Sequence, residues 1–441
     1  MEVTLAQVLD ARERRVRRQA DLHREYGRTI LSFSMNIPGP EKISAMIRRG
    51  FYAGCEVLDG AFPEGSVLHC ERTEAVAGCE AMYVLDMEPL AVKSITTRIE
   101  DEHGLGRLFD MDVIGPDLKK LDRETVGGRS RGCMVCGAPG RGCASRRVHT
   151  VAQLQAATNS ILRDYFAETE ARRIGILAVR SLLDEVSTTP KPGLVDLRNS
   201  GSHRDMDVAT FRVSAEALGD YYRACARIGM DSAGEVPSET FRRLREEGLR
   251  AEQTMYAATG GVNTHKGAIF TLGLLCGAAG RLWNPEGKWE SAALFREISH
   301  MTREAVEADF RKGGDTAGHR LYREYGIRGI RGEAAEGLPG VADIGLPAYS
   351  SCLARGMTPN DAGVRTLLEL IARVADTNMI SRGGIEGAQA GARMAAGLLS
   401  SNNTMADVER LDDWFIQRNL SPGGCADLLA AVYFVHALTA I

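Results

Sequence analysis

Short apolar runs with a two-residue period alternate with runs of helical period from about residue 30 to 115. The strand-like runs are TILSFSMNI, SVLHCE, AMYVLDM and RLFDMDVIG, and the helix-like runs are PEKISAMIRRGFYAG and AVKSITTRIEDEHG. Strict alternation predicts strands, and apolar residues three or four apart predict helices. This part of the chain is therefore predicted to be an α+β domain with a mainly antiparallel or mixed sheet.

Strand patterns nearly vanish beyond about residue 170. Long helical patterns follow one another there, separated by glycine-rich stretches, and they include RRIGILAVRSLLDEVS, VATFRVSAEALGDYYRACARIG and NDAGVRTLLELIARVADTNMIS. A loop rich in Gly, Arg and Cys (126–147) and a helical pattern, TVAQLQAATNSILRDYF, precede this region. We expect a multidomain protein, with an α+β domain in residues 1–168 and an all-α domain in residues 169–441.

The composition narrows the class of protein. A chain of 441 residues is long enough for two cores, and its net charge of −4 argues against a nucleic-acid-binding protein. No run of about 18 apolar residues predicts a membrane span. The charged amphipathic N-terminal pattern lacks the apolar segment of a signal peptide, so we expect a cytoplasmic protein. Its ten cysteines are then expected as thiols or metal ligands.

Four polar, glycine-rich segments of the second domain stand before or between helices, at 188–207, 259–270, 376–384 and 421–430. In the second, Asn263 to Lys266 open directly onto a helix, so free N–H groups and a lysine can converge on an anion. The alternative is a glycine turn in which Thr264 caps the helix. Asp205 and Asp207 also have two interpretations, because they can be metal ligands or helix caps. Four such segments predict a shared pocket.

These segments carry a resemblance to a known family. The stretches STTPKPGLVDLRNSGSHRDMD, TGGVNTHKG, DTN followed by RGG, and SPGGCADLLA resemble the signature segments of triphosphoribosyl-dephospho-CoA synthases, across residues 170–441. Members of that family join ATP to 3'-dephospho-CoA and expel adenine. The resemblance implies ATP and 3'-dephospho-CoA as substrates, and Mg²⁺ to accompany the triphosphate.

Candidate roles follow from the resemblance and from the chemistry. Breaking an N-glycosidic bond develops positive charge on the ribose, which carboxylates stabilise, while the departing adenine needs a proton. The candidate metal ligands are Asp205, Asp207 and Asp376, and the first two are also candidate catalytic residues together with Glu252. The candidate phosphate ligands are Lys191, Lys266 and Arg382. The remaining candidates for substrate binding or acid–base roles are Asp196, Asn199, His203, Gly260, Gly261, Asn263, His265 and Asn378. For Lys191, His203 and Glu252 the alternative is an ordinary solvated side chain.

The first domain contains its own carboxylate pair in FDMDV (109–113). Residues two apart on a strand project from the same face, so Asp110 and Asp112 are neighbours. They are predicted either to face solvent or to chelate Mg²⁺ that steadies a pyrophosphate leaving group.

A second resemblance covers roughly residues 10–168. The stretches SFSMNIPGPEK, GRLFDMDVIG and CMVCGAPGRGCASRRVH resemble apo-citrate lyase phosphoribosyl-dephospho-CoA transferases. That family moves phosphoribosyl-dephospho-CoA onto a serine of the citrate lyase acyl carrier (gamma) subunit and releases pyrophosphate, so the product of one half is the substrate of the other. The implied catalytic pair is Asp110 and Asp112, also the Mg²⁺ ligands. The implied binding residues are Asn36, Lys42 and Arg107, with Arg129, Arg131, Arg146 and Arg147 as contacts to the donor phosphates.

The cysteine-rich loop has two interpretations. Cys133, Cys136, Cys143 and His149 have the residue types of a zinc site with three cysteines and one histidine. Their spacing is tight for one tetrahedral ion, so the sequence favours reduced thiols that pack or cap the loop.

Two other functions stay open from the sequence. One is the matching pair of activities for malonate decarboxylase. The other is a non-catalytic assembly factor that binds the carrier protein through a zinc-stabilised loop. The SFSMNIPGPEK stretch favours citrate lyase over malonate decarboxylase.

Overall fold

The structure is a computed structural model that describes residues 2–138, 143, 146–313, 317–401 and 404–440. The chain forms two compact units, Met1–Phe166 and Ala167–Ile441. The first contains a five-stranded sheet with helices, and the second is helical. The predicted fold class, α+β followed by all-α, is confirmed.

The N-terminal unit is built on one antiparallel sheet. Its strand order is β2-β3-β1-β4-β5, and every neighbouring pair is antiparallel. The elements in chain order are α1 (Leu5–Tyr26), β1 (Thr29–Met35), α2 (Ala45–Ala61), β2 (Val67–Ala75), β3 (Gly78–Leu85), α3 (Pro89–Glu102), β4 (Phe109–Ile114) and β5 (Lys120–Leu121). Helix α2 starts later than the sequence pattern suggested, because Ser44 caps it by accepting a hydrogen bond from the Ile47 N–H.

The core of this unit lies between the sheet and helices α2 and α3. Phe33 of β1 stacks on Phe51 of α2, with ring centroids 5.1 Å apart, and meets Phe109 of β4 edge-on at 5.3 Å. Strand β4 buries Phe109, Met111 and Val113, while the alternate residues turn away from this core. The period-two prediction for β4 is therefore met, and its two aspartates share one face.

Helix α4 (Val151–Ser187) runs continuously through a stretch where the sequence pattern suggested two helices. The intervening residues, AETEAR, contain neither Gly nor Pro, so nothing in them breaks a helix. Leu162 and Phe166 are buried within the first unit, whereas Ala171, Ile174 and Leu182 belong to the core of the second. The division between the units thus falls inside a helix.

The C-terminal unit consists of the rest of α4, twelve further α-helices and a π-helix (Gly340–Gly345) among the residues that the structure describes. The α-helices are α5 (Val208–Ala217), α6 (Gly219–Asp231), α7 (Pro237–Ala258), α8 (Lys266–Arg281), α9 (Ser291–Lys312), α10 (Ala317–Tyr325), α11 (Gly329–Glu336), α12 (Leu346–Ala354), α13 (Pro359–Arg373), α14 (Thr377–Leu399), α15 (Met405–Gln417) and α16 (Gly423–Thr439). The pattern predicted as one helix from residue 208 is divided at Leu218 into α5 and α6.

Helices α8 and α16 form the centre of this unit, and most of their residues are buried. A side chain at Gly280 of α8 would overlap the carbonyl oxygen of Ala226 on α6, so only glycine permits this close helix contact. Helix α14 is kinked at Gly384, whose φ is +68°. Across the described residues, no helix is both long enough and apolar enough to cross a lipid bilayer.

Candidate active sites

The N-terminal unit contains a cavity of about 940 Å³ beside β4. The carboxylates of Asp110 and Asp112 line it together with Asn36, and cationic side chains surround them. These cationic residues are Lys93, Arg107, Lys120, Arg123, Arg131 and Arg147. Carboxylates beside a ring of cations suit a polyanionic ligand that brings a divalent metal ion.

The two aspartates differ in their surroundings. Lys120 Nζ lies 2.6 Å from Asp112 Oδ1. Burial lowers the pKa of Lys120, but the hydrogen bond and attraction to Asp112 outweigh that effect and raise it. Asp110 has no hydrogen-bond or ion-pair partner in the part of the chain that the structure describes. Its limited hydration in the cavity, followed by repulsion from Asp112, raises the pKa of Asp110.

Two buried charged residues of α3 hold the backbone between these aspartates. Lys93 Nζ donates to the Met111 carbonyl at 3.0 Å, and Glu100 Oε1 accepts from the Met111 N–H at 3.0 Å. The other oxygen of Glu100 lies 2.8 Å from Arg131. Sequence analysis missed Lys93 and Glu100. The signal was present, because both are charged residues on the apolar face of a predicted helix.

Several predicted binding residues of this unit have structural partners. Arg131 donates to the carbonyl oxygens of Phe109 at 2.7 Å and Gly106 at 3.2 Å, and Arg107 donates to Gly132 O at 2.5 Å. Of the four predicted arginine contacts, Arg131 and Arg147 line the cavity, whereas Arg129 and Arg146 do not. Lys42 also lies outside the lining and donates to the Ile37 carbonyl, and burial lowers its pKa.

The cysteine-rich loop brings its four candidate ligands together. Cys136 Sγ lies 3.5 Å from Cys143 Sγ and 3.3 Å from His149 Nε2. One ligand atom from each of Cys133, Cys136, Cys143 and His149 falls within 4.8 Å of all the others. Cys133, Cys143 and His149 also line the cavity that holds the aspartate pair.

The C-terminal unit has a cavity of about 500 Å³ into which the N-termini of three helices open. Its lining includes Lys266 and Gly267 of α8, Thr377 and Asn378 of α14, and Gly423 and Gly424 of α16. Helices α8 and α16 have no side-chain hydrogen bond at their N-caps. The Lys266 N–H donates to Asn263 Oδ1 at 3.3 Å and the Cys425 N–H donates to Asp376 Oδ2 at 2.8 Å. The N–H groups of Gly267, Gly423 and Gly424 have no acceptor among the described residues, and together with the helix dipoles they make this cavity attractive to anions.

The structure brings residues from all four glycine-rich segments to this cavity, as the sequence predicted for several of them. Besides the helix N-termini, its predicted lining residues are Lys191, His203, Asp205, Asn263, His265 and Arg382. Gly260 and Gly261 lie outside the lining. They have φ of +66° and +94° and end α7 in an exposed turn, which matches the turn alternative for this segment. Thr264 does not cap α8, because its hydroxyl binds Ser214 Oγ at 2.7 Å.

Asp205 and Asp207 have different positions. Asp207 Oδ1 accepts hydrogen bonds from the Thr210 N–H at 2.9 Å and the Thr210 hydroxyl at 2.8 Å, which forms the N-cap of α5. These hydrogen bonds lower the pKa of Asp207. Asp205 lines the cavity, is exposed, and has no partner among the described residues. The structure therefore separates the predicted metal pair into one cavity residue and one helix cap.

Asp376 was predicted as a metal ligand, and its surroundings give it another role. Its Oδ1 accepts the N–H groups of Asn378 at 2.8 Å and Met379 at 3.0 Å, and its Oδ2 accepts the Cys425 N–H at 2.8 Å. Both oxygens of this buried carboxylate are thus committed to the first turns of α14 and α16. Asp376 positions two of the helix N-termini and does not line the cavity.

Lys191 was predicted as a phosphate ligand, but its ammonium is buried in an ion pair. Its Nζ lies 2.5 Å from Glu185 Oε1 and 2.7 Å from the Glu185 carbonyl, and the side chain is 1% exposed. Burial raises the pKa of Glu185 despite this partner. A lysine held in this way is less available to a phosphate than its place in a polar loop suggested.

Asp196 and Asn199 shape the loop that follows Lys191. Asp196 accepts backbone N–H groups from Lys191 at 2.8 Å and Asn199 at 3.0 Å, and Asn199 Nδ2 donates to buried Asp412 at 2.7 Å. Neither residue lines the cavity. Both residues thus stabilise this loop, and their contact with substrate stays a prediction.

The remaining cations at the cavity rim are held by polar partners. Arg382 Nη1 donates to Ser202 O at 2.9 Å, and its Nη2 lies 3.2 Å from His203 Nδ1. Burial, then the Arg382 charge, lowers the pKa of His203. Lys266 Nζ lies 2.8 Å from Glu252, a predicted catalytic residue that is outside the lining.

Two further titratable groups line the cavity, of which His265 is buried and Asp427 is half-buried. His265 Nδ1 is 2.8 Å from Ser214 Oγ, its Nε2 has no partner among the described atoms, and burial followed by the Lys191 charge lowers its pKa to about 3. Asp427 also lines the cavity, and burial with the charges of Glu185 and Asp376 raises its pKa well above the usual range. Sequence analysis did not nominate Asp427, although it lies within the quoted SPGGCADLLA stretch.

Comparison with known proteins agrees with this division into two sites. Residues 171–441 match the family described as ATP:dephospho-CoA triphosphoribosyl transferase, and residues 3–165 match the family described as apo-citrate lyase phosphoribosyl-dephospho-CoA transferase. A probable 2-(5''-triphosphoribosyl)-3'-dephosphocoenzyme-A synthase of Vibrio cholerae serotype O1 (strain M66-2) is 43% identical over 276 residues, which cover 60% of this chain and 88% of the relative.

Two relatives span both units. Protein CitXG of Leuconostoc mesenteroides subsp. cremoris is 33% identical over 464 residues, which cover 99% of this chain and 97% of the relative. Protein CitXG of Haemophilus influenzae (strain ATCC 51907 / DSM 11121 / KW20 / Rd) is 32% identical over 455 residues, which cover 98% of this chain and 96% of the relative. The chain therefore belongs to the ATP:dephospho-CoA triphosphoribosyl transferase family, fused to an apo-citrate lyase phosphoribosyl-dephospho-CoA transferase domain, and is a bifunctional transferase of citrate lyase prosthetic group synthesis.

Proposed function

We propose that the helical unit binds the triphosphate of ATP where the N-termini of α8, α14 and α16 meet. The convergence of these three N-termini on one cavity is the observation that carries the proposal. Asp376 caps the first turn of α14 and accepts the Cys425 N–H of α16, so the N–H groups left for phosphate are those of the glycines at the starts of α8 and α16. These N–H groups and the helix dipoles favour an anion in the cavity. Lys266 and Arg382 at the same cavity add positive charge.

Asp205 is the residue that we propose for holding the Mg²⁺ of ATP. Its exposed carboxylate lines the cavity and has no cationic partner among the described residues, whereas Asp207 and Asp376 use their oxygens on backbone N–H groups. Mg²⁺ takes few protein carboxylates and completes its shell with phosphate oxygens and water, so a single free aspartate fits. The ion would supply charge neutralisation along the triphosphate.

Asp427 is the proposed general acid for the departing adenine. The reaction forms a bond between a ribose hydroxyl oxygen of 3'-dephospho-CoA and C1' of the ATP ribose, and it breaks the bond from C1' to adenine. The leaving base needs a proton, and the raised pKa of the Asp427 carboxyl, caused first by burial and then by the charges of Glu185 and Asp376, favours its protonated form. The position of Asp427 in the cavity lining beside the N-terminus of α8 supports this role.

For the N-terminal unit we propose that Asp110 and Asp112 hold Mg²⁺ against the triphosphate of the donor. The serine hydroxyl of the citrate lyase acyl carrier subunit attacks the phosphorus next to the ribose, and pyrophosphate leaves. The parallel placement of the two carboxylates in a cavity with a cationic rim carries this proposal. Arg131 and Arg147 are the proposed contacts to the leaving pyrophosphate.

Residues 1–168 and 169–441 are the proposed functional domains, with ATP and 3'-dephospho-CoA as substrates of the second and the carrier subunit as acceptor of the first. We propose the cytoplasm as the compartment, because ATP and dephospho-CoA are available there. The match to an apo-citrate lyase family favours the citrate lyase carrier over that of malonate decarboxylase.

A two-stage assay tests the proposal on the full chain. Adenine released from ATP and 3'-dephospho-CoA is measured by chromatography, and the mass gain of the purified carrier subunit is measured by mass spectrometry. We expect adenine release without the carrier, and mass gain only when both substrates and Mg²⁺ are present. Adenine release that requires the carrier, or carrier modification without dephospho-CoA, would contradict the order of the two reactions.

A further inference from the structure

We propose that Cys133, Cys136, Cys143 and His149 bind a structural zinc ion in the wall of the transferase cavity. Zinc–sulfur and zinc–nitrogen bonds of about 2.3 and 2.0 Å place the ligand atoms of a tetrahedral site roughly 3.5 to 3.8 Å apart. The observed separations are 3.5 Å between Cys136 and Cys143 sulfurs and 3.3 Å between Cys136 Sγ and His149 Nε2. All four ligand atoms lie within 4.8 Å of one another.

The backbone of the first two ligands is arranged around the same point. The Gly137 N–H donates to the Cys133 carbonyl at 2.9 Å, and the Cys133 N–H donates to the Ala138 carbonyl at 2.6 Å. Gly137 has φ of +71°, so the turn needs a residue without a side chain there. The Val135 N–H also lies 3.5 Å from Cys133 Sγ, which is the kind of second-layer hydrogen bond that orients a thiolate ligand.

The alternative of packing thiols does not fit these cysteines. Of the cysteines outside the cluster, six are buried, as are Cys55, Cys225 and Cys276, and Cys70 is exposed and lies outside the group. The cluster cysteines are exposed or half-buried, and they face one another and a histidine. Cys136 and Cys143 are free thiols in the structure, with their sulfurs 3.5 Å apart. Although the spacing of the four residues is tight, their ligand atoms lie within 4.8 Å of one another.

A structural role follows from the number of ligands. Four protein ligands complete the tetrahedral shell and leave no position for water or substrate, unlike a catalytic zinc site. The loop that contains the site also carries Arg131 and Arg147, both of which line the cavity, and its Gly132 carbonyl accepts from Arg107. Zinc would fix this loop, which has little regular secondary structure in its described residues, and so position the two arginines opposite the aspartate pair.

Metal analysis of the purified full chain tests the proposal. We expect elemental analysis by mass spectrometry to find one zinc ion per chain. When Co²⁺ replaces the zinc, the protein should show the intense visible absorption of tetrahedral thiolate coordination. Cys136→Ser and His149→Gln should each lose most of the zinc. Cys70→Ser removes an exposed thiol outside the cluster and should keep it.

The metal readout is independent of the catalytic proposal. A chain without zinc that also fails to bind Co²⁺ would overturn the site, and so would full zinc retention by Cys136→Ser. The predicted effect on catalysis rests on the proposed function of the N-terminal unit: zinc removal should slow carrier modification at least tenfold and leave adenine release unchanged. Zinc loss with both activities intact would remove only the arginine-positioning role.

Discussion

The ammonium nitrogen of Lys120 lies 2.6 Å from a carboxylate oxygen of Asp112. This ion pair makes the two aspartates of β4 unequal, because Asp110 on the same face has no such partner among the described residues. Asp110 is then the carboxylate most readily available to a metal ion, while the contact with Lys120 holds the side chain of Asp112 in place. A metal ion on the donor triphosphate would then meet one carboxylate that is unpaired in the described part of the chain, Asp110, and one carboxylate paired with lysine, Asp112.

Asp110→Asn removes the free ligand with little change in side-chain shape. We expect carrier modification to fall on the order of a thousandfold, since losing several kcal/mol of charge stabilisation at a leaving pyrophosphate costs a factor of ten for each 1.4 kcal/mol or so. Adenine release should be unchanged. Asp117→Asn, an exposed aspartate in the same unit, is the matched control. Loss of both activities in Asp110→Asn would point to misfolding instead of a lost metal ligand.

Lys93→Met tests whether α3 positions the aspartate pair. The substitution keeps the length of the buried stem but removes the hydrogen bond to the Met111 carbonyl, so the strand between the aspartates loses one of its two side-chain contacts from α3. We expect the Mg²⁺ concentration for half-maximal carrier modification to rise several-fold, together with a stability loss of about 1–3 kcal/mol. Lys119→Met, at an exposed residue, is the control. A lower melting temperature with unchanged Mg²⁺ dependence would make Lys93 purely structural.

Asp205 and Asp207 should respond differently to substitution. Asp207→Ser keeps a good N-cap for α5 and should leave adenine release and stability nearly unchanged, whereas Asp207→Ala should cost about 1 kcal/mol of stability. Asp205→Asn should abolish most adenine release without a comparable change in unfolding free energy. Activity is measured by adenine release, and stability by urea unfolding. Full activity of Asp205→Asn would remove the proposed Mg²⁺ ligand.

The pH dependence of stability should contain a contribution from His265. Burial lowers its pKa from the usual 6.5 to about 3, so between these values the unfolded chain binds a proton that the folded chain does not. Stability therefore falls as the pH decreases below about 6.5, by up to about 1.4 kcal/mol per pH unit from this group. Urea unfolding of the wild type and of His265→Gln between pH 7.5 and 5 should show a smaller acid-side loss in the variant. Parallel curves would contradict the assignment.

Separate expression of residues 1–168 and 169–441 tests the domain proposal. The cut falls in α4, yet Leu162 and Phe166 stay with the first piece and Ala171, Ile174 and Leu182 with the second. We expect two folded proteins, with adenine release in the second piece and carrier modification restored on mixing. If the mixture never modifies the carrier while the intact chain does, the two domains are not independent.

Local sequence patterns predicted some features of the sites because those features depend on local geometry. The shared face of Asp110 and Asp112 follows directly from the two-residue period of a strand. Lys93 and Glu100 stand out in the sequence as charged residues on the apolar face of a predicted helix, but their contacts with Met111 depend on how α3 packs against β4, which no local pattern specifies.

An acidic residue before a helix has the same sequence pattern whether it binds a metal or caps the helix. Asp205, Asp207 and Asp376 all fitted the metal interpretation, and only the partners of their oxygens distinguish them. Lys191 lines the cavity as expected, but its burial could not be predicted, for a related reason. Its burial depends on Glu185 at the end of the preceding helix, so a lysine in a polar loop became half of an interior ion pair.

The helices whose N-termini open into the C-terminal cavity start far apart in the chain, at Lys266, Thr377 and Gly423. A fragment that lacks one of these helices cannot form the complete cavity, so the cavity forms only when the whole unit has folded. A ligand that occupies the cavity therefore binds only the folded unit, and its binding raises the free energy of global unfolding. At a concentration one hundred times its dissociation constant, such a ligand adds about 2.7 kcal/mol to the stability of the unit. Substrate supply would in this way protect the synthase from unfolding and proteolysis.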